Sequence, residues 1–191
     1  MKKLSLAFAA LLIMMSMFTG CDRVTKTMEN NKSVVTEPIE PDKTPAPATE
    51  RSGKLESDEF EIDIADGWTE NNRISTTKMV IAPDGASSLN VVVENLERAF
   101  SAEEYLAESK IALDGVEMFK DRKEIPIENV KIGDYESSCY KYSIVNQNIS
   151  MIMTQYFIVN GKKTYIITYT AVNGMNYDKS VAEMVSSFVI K

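Results

Sequence analysis

The chain has 191 residues, 44% hydrophobic and 26% charged, with 28 acidic against 21 basic side chains and no histidine. Its net charge of −7, or −9 without the N-terminal Lys2 and Lys3, makes it a poor partner for nucleic acid. The lack of histidine excludes imidazole metal sites, Ser-His-Asp triads and histidine acid–base steps, leaving carboxylates, lysine, tyrosine and thiol for any chemistry.

Lys2 and Lys3 precede an apolar run from Leu4 to Phe18, broken only by Ser5 and Ser16. The run is about 15 residues, short of the roughly 20 that span a bilayer. With Gly20-Cys21 following, residues 1–20 resemble a bacterial lipoprotein signal peptide, whose lipobox ends in a small residue and the cysteine that receives a diacylglyceryl group before cleavage. Phe18 departs from the leucine usual three places before that cysteine. The resemblance implies Cys21 as the lipidation site and a position anchored on the extracytoplasmic side of a bacterial cell-envelope membrane. Each buried CH₂ of such a lipid contributes about 0.8 kcal/mol, so several acyl chains together anchor stably.

Residues 21–57 read as a disordered linker. From Asp22 onward they contain no aromatic residue, and they hold Pro38, Pro41, Pro45 and Pro47, four of the chain's six prolines. Such a composition cannot bury enough apolar surface to fold. As a flexible tether of about 36 residues it reaches roughly 35 Å.

The folded domain is expected over residues 58–191. Phe60, Ile62 and Ile64 alternate with Glu59, Glu61 and Asp63, predicting a half-buried strand with an acidic outer face. Asp66-Gly67 leads to Trp68, and MVIAP and SLNVVVENL flank Asp84-Gly85 as a second strand pair. Ser101 and Glu104 have capping-box spacing, and Phe100 and Tyr105 stand where a hydrophobic staple needs them. A helix starts there, with Tyr105, Leu106, Ser109 and Leu113 facing inward. Lys123 to Ile132 predicts a strand interrupted at Pro126, hence at an edge or a bulge. After Asn173-Gly174, Tyr177, Val181, Met184, Val185 and Phe188 recur at helical spacing and predict a closing amphipathic helix.

Three β-patterned runs form the centre: Tyr135 to Val145, Ile149 to Val159 and Lys162 to Val172. Their separators are Asn146-Gln147-Asn148 and Asn160-Gly161, the latter a type I′ hairpin signal. That turn predicts Val159 facing Lys162, Tyr156 opposite Tyr165, Thr154 opposite Ile167 and Ile152 opposite Tyr169. Tyr140, Tyr142 and Ile144 are expected to extend this face, with Met151, Met153, Phe157, Val159, Ile166 and Cys139 on the other. The middle strand is then apolar on both sides, and the sheet needs a cover on each.

Two helices far apart in sequence around a mostly antiparallel sheet predict an α/β/α sandwich. At FEIDIADGW, SAEEYLAESK, IGDYESSCYKYSIV and SVAEMVSSFVI the chain resembles the PsbP-like family, which includes DcrB-type envelope lipoproteins and the extrinsic PsbP subunit of photosystem II. Asp66-Gly67 departs from it, standing where a proline often precedes the tryptophan. The resemblance implies a PsbP-like domain that serves as an accessory or binding subunit, with no catalytic signature to carry over.

Tyr140, Tyr142, Tyr165 and Tyr169 are the candidate ligand or partner face, set against ordinary packing beneath a helix. Glu59, Glu61 and Asp63, with Asp58 and Asp66, are a candidate Ca²⁺ ridge, but alternating charges on an exposed strand are ordinary and the spacing is not that of an EF-hand. No metal site, cofactor or disulfide is expected. Cys139, among apolar neighbours, reads as an inert buried thiol. The sequence thus points to a non-enzymatic envelope lipoprotein, held at the membrane by its lipid, whose domain binds a protein or another envelope component. The alternative is a small-ligand or Ca²⁺-binding lipoprotein that uses the tyrosine face or the acidic strand.

Overall fold

The computed structural model describes residues 53–71 and 77–191. The leader, Cys21 and most of the 21–57 segment lie outside the described residues. The described chain forms β1 (Lys54–Glu56), β2 (Phe60–Asp63), β3 (Thr69–Glu70), β4 (Lys78–Ile81), β5 (Ser88–Asn95), α1 (Ala102–Asp114), a 3-10 turn (Glu117–Phe119), β6 (Lys123–Ile125), β7 (Lys131–Ile132), β8 (Tyr135–Asn146), β9 (Ile149–Asn160), β10 (Lys163–Val172), α2 (Asp178–Ser186) and β11 (Val189–Ile190). The larger sheet has the order β3-β4-β5-β10-β9-β8-β6, with β7 also paired to β8. Its pairings are all antiparallel. A separate antiparallel sheet joins β1, β2 and β11.

Local chemistry sets the ends of these elements. Ser101 Oγ accepts from Glu104 N at 3.1 Å while Glu104 Oε2 accepts from Ser101 N at 2.8 Å, a complete capping box that starts α1. The staple is present too, Phe100 and Tyr105 meeting edge-on with ring centroids 6.2 Å apart. At the β4–β5 turn, Asp84 Oδ1 accepts from the backbone of Ala86 and Ser87, while Gly85 takes φ +71°. β6 stops at Ile125, immediately before Pro126, on the outer edge of β8. Pairing to β8 resumes at β7.

The two central hairpins differ from expectation in opposite ways. Between β9 and β10 the loop is Gly161-Lys162, so Lys163 pairs with Asn160 and Tyr165 with Ile158. Of the two loop residues only Gly161 has positive φ, as at the first central position of a type II′ turn. The register moves by two residues, which preserves the faces. Between β8 and β9 the loop is Gln147-Asn148, both at positive φ in the manner of type I′. Asn146 is therefore a strand residue opposite Ile149, and Tyr142 lies opposite Met153. A three-residue loop over 146–148 would have placed Tyr142 opposite Ile152. The one-residue difference turns every β8 side chain over, so Tyr140, Tyr142 and Ile144 join Met151, Met153, Phe157 and Ile166. Cys139 moves to the face of Tyr156.

Two cores result, one on each face of the larger sheet. Beneath α1 and the 3-10 turn, Tyr105, Leu113, Val116 and Phe119 pack on Tyr140, Tyr142, Met153 and Phe157. On the other face, Val181, Met184 and Val185 of α2 share a core with Leu55, Phe60 and Ile62 of the small sheet and with Tyr165, Ile167 and Tyr169 of β10. The domain is a mostly antiparallel sheet with two helices, and on the α2 side the small sheet supplies part of the cover. The linker expected to run to Ser57 ends earlier: Lys54–Glu56 pair with Glu61–Asp63, and Leu55 is fully buried.

Candidate functional site

The four tyrosines singled out from the sequence do not share a face. Tyr140 and Tyr142 lie beneath α1, and Tyr165 and Tyr169 lie on the opposite side of the sheet. All four are buried.

Tyr140 is the hub of a polar clasp. Arg122 Nε donates to its hydroxyl at 2.7 Å, and the hydroxyl donates to Glu124 Oε1 at 3.0 Å. Lys110 Nζ donates to Glu124 Oε2 at 3.0 Å and lies 4.4 Å from the Tyr140 ring centroid. Arg122 also donates to Asp114 Oδ1 at 2.7 Å and to the Phe119 carbonyl at 3.1 Å. The clasp thereby joins α1, the 3-10 turn, β6 and β8. Burial raises the Tyr140 pKa, keeping the phenol neutral, and the Lys110 ammonium holds Glu124 below the usual carboxylate range. Burial works against the Arg122 charge, but its bonds to Tyr140 and Asp114 outweigh that and raise its pKa. Each charge faces an opposite one, so the arrangement holds elements together rather than poising a base.

Tyr142 is different. It meets Phe119 edge-on with centroids 6.1 Å apart and lies 4.8 Å from the Tyr140 ring. Its hydroxyl is buried without a hydrogen-bond partner, and burial pushes its pKa far above the ordinary tyrosine value.

On the α2 side, Tyr165 packs edge-on against Phe188 at 5.6 Å, and the Tyr169 hydroxyl accepts from Tyr177 N at 3.0 Å, fixing the start of α2. Tyr177 in turn meets Trp68 edge-on at 5.6 Å. Tyr156, half-buried on this face, is pushed up to about 12, by burial first and then by Cys139 and Asp178.

The acidic strand is matched by lysines. Lys54 bonds Glu61 at 2.6 Å, Lys163 bonds Glu59 at 2.9 Å, and Lys191 reaches Glu56 at 3.0 Å. Among the described residues no group of acidic or cysteine side chains is arranged to hold a metal ion. Cys139 is a buried free thiol whose pKa burial raises, and its backbone N donates to Asn129 Oδ1 at 2.9 Å. Cys21 lies outside the described residues.

One buried pair was missed in the sequence. The Tyr105 hydroxyl donates to Glu94 Oε2 at 2.5 Å, and burial first, then the carboxylate, pushes the Tyr105 pKa strongly upward. The signal was present: Asn90, Val92 and Glu94 alternate along β5 on the side that faces α1, so a carboxylate at the third position needed a partner.

No protein-family model matches the chain, and no curated protein does. The fold has solved counterparts in bacteria. LpqN, involved in cell envelope biogenesis of Mycobacterium tuberculosis, aligns with a TM-score of 0.53 at 9% identity, over 69% of this chain and 83% of that one. A Bacteroides thetaiotaomicron protein aligns with a TM-score of 0.52 at 12% identity, over 69% of this chain. This chain covers only 45% of that protein's length. At such identities the likeness is one of fold, and neither structure carries the PsbP or DcrB name. Among the described residues no helix is long and apolar enough to cross a membrane.

Proposed function

We propose that this protein is a non-enzymatic lipoprotein of the bacterial cell envelope, held at the membrane through Cys21, whose PsbP-like domain binds a protein or another envelope component. The observation that carries the reading is Gly20-Cys21 at the end of a short apolar run that begins after Lys2 and Lys3. The fold shared with LpqN supports it, since that protein is involved in cell envelope biogenesis. The non-catalytic part is supported by the pairing of Glu59, Glu61, Asp114 and Glu124 with lysine or arginine. The same pairing weighs against a Ca²⁺ role for the acidic strand, because a cation there must first displace Lys54 and Lys163.

The test is site-directed photocrosslinking in cells from exposed positions on both sides of the sheet, such as Glu108 on α1 and Lys179 on α2. The reading predicts one envelope component captured reproducibly from one side and lost in Cys21→Ser, which lacks the lipid and keeps its leader. Equal, non-selective capture from both positions counts against a binding domain.

A further inference from the structure

The two faces of the larger sheet differ in how they treat buried polar groups. Asn90 Oδ1, Tyr142 OH and Gln155 Oε1 are fully buried without hydrogen-bond partners, and all three lie on the face of α1. On the α2 side Glu59 Oε2, beside the small sheet, is also buried without a partner, but its Oε1 accepts from Lys163. An unpaired buried acceptor costs stability, and such departures from good packing gather at functional sites.

The registers place these groups together. Met79, Asn90, Thr168, Gln155 and Tyr140 occupy one row across β4, β5, β10, β9 and β8, and Tyr142 stands in the adjacent row. Within the row, Gln155 Nε2 reaches the Thr168 hydroxyl at a long 3.4 Å. α1 packs on β8 and β9, so the row begins under the helix at Tyr140 and runs out past it toward β5. Asn90, Thr168, Gln155 and Tyr142 are uncharged. The nearby charges of Lys110 and Arg122 are engaged by Glu124 and Asp114. The neighbouring row is mainly apolar, with Val92, Ile166 and Phe157.

We propose that Asn90, Thr168 and Gln155 of this row, with Tyr142 of the next, are the polar floor of a binding site for an uncharged amphiphile: a hydroxyl- or amide-bearing head on an apolar body. Few convergent polar groups in an apolar lining are what small-ligand sites provide. A hydroxyl or amide head supplies the donors that the two amide oxygens lack. An anionic head meets no cation in the row, and a cationic head meets no anion. The inference deepens the envelope-binding reading and rests on it, by naming a site and a ligand class.

The full chain, reconstituted in phosphatidylcholine nanodiscs, is titrated with octyl glucoside, octyl sulfate or octyltrimethylammonium below their micellar concentrations. Unfolding is followed through Trp68, the only tryptophan. The expected result is a Tm that rises with octyl glucoside alone, with apparent affinity about tenfold weaker in Gln155→Leu or Asn90→Leu, the loss of one buried hydrogen bond. Without the probe those variants should change stability little, since each removes an unpaired oxygen and Gln155→Leu gives up only the long contact to Thr168. Thr168→Val serves as a milder variant should either leucine disrupt folding. No shift with octyl glucoside, equal shifts with the charged probes, or an undiminished shift in the variants overturns the proposal, the last pointing to interior water. These outcomes are separate from fatty-acid attachment at Cys21, so this proposal and the anchor fail independently.

Discussion

Tyr142 and Phe119 meet in a T-shaped contact, centroids 6.1 Å apart at 84°, which couples the 3-10 turn after α1 to the centre of β8. Both rings are fully buried. Truncation to Tyr142→Ala leaves a large cavity and should cost about 3 kcal/mol or more. Tyr142→Phe removes only a hydroxyl that has no partner, and should change stability by less than about 1 kcal/mol or increase it. Denaturant titration decides both. A loss below about 1 kcal/mol in the alanine variant, with an unchanged m-value, would show that the ring is not core.

The face on which Tyr142 sits was not legible, although its burial was. The strand pattern identifies the meander, and Ser101 and Glu104 identify the start of α1, because capping and alternation are local. Face assignment depends on the parity of one loop, and Asn146-Gln147-Asn148 reads as well with three loop residues as with two. Asn148 at φ +67° is tolerated because asparagine adopts the left-handed region more readily than most residues, and Gln147 at φ +49° follows it without any such signal. β1 was hidden for another reason: Lys54–Glu56 offers a single apolar residue, too little for a period of two to appear. β3 and β11, of two residues each, are beyond any periodicity argument. The Tyr140 clasp joins residues from four elements, which no local pattern reveals.

The position of β1 yields a prediction about the domain boundary. A chain beginning at Asp58 lacks the strand that pairs with β2 and the buried Leu55, and should unfold at a lower denaturant midpoint than one beginning at Gly53. Leu55→Ala in the longer chain should cost about 3 kcal/mol. Equal midpoints for the two chains would return residues 53–57 to the tether.

Alkaline pH should destabilise the domain through its buried phenols. Burial, chiefly, raises the Tyr142 and Tyr105 pKa values above the ordinary tyrosine value, so the folded state holds protons that the unfolded state releases. Stability falls with pH wherever the unfolded state binds fewer protons. It is therefore fully present below about pH 10 and declines above it. In Tyr142→Phe the decline above pH 10 should be shallower, as read from unfolding midpoints across pH 8–11.5. Parallel profiles for variant and wild type would show that Tyr142 does not contribute.

Metal removal should have no effect on the acidic strand. Glu59 and Glu61 already face Lys163 and Lys54, so no cation is needed to balance them. Chelator should leave the unfolding midpoint where it was. A midpoint that drops with chelator and recovers with Ca²⁺ would establish a cation site there.

The anchor is the part of the account on which location and function both depend. Metabolic labelling with a fatty acid, comparing wild type with Cys21→Ser in the native bacterium, tests it. Label should enter the wild-type protein in the membrane fraction and be absent from the variant, which should also remain unprocessed at this site. Equal labelling of the two proteins, or wild-type protein in the membrane fraction without label, contradicts attachment through Cys21.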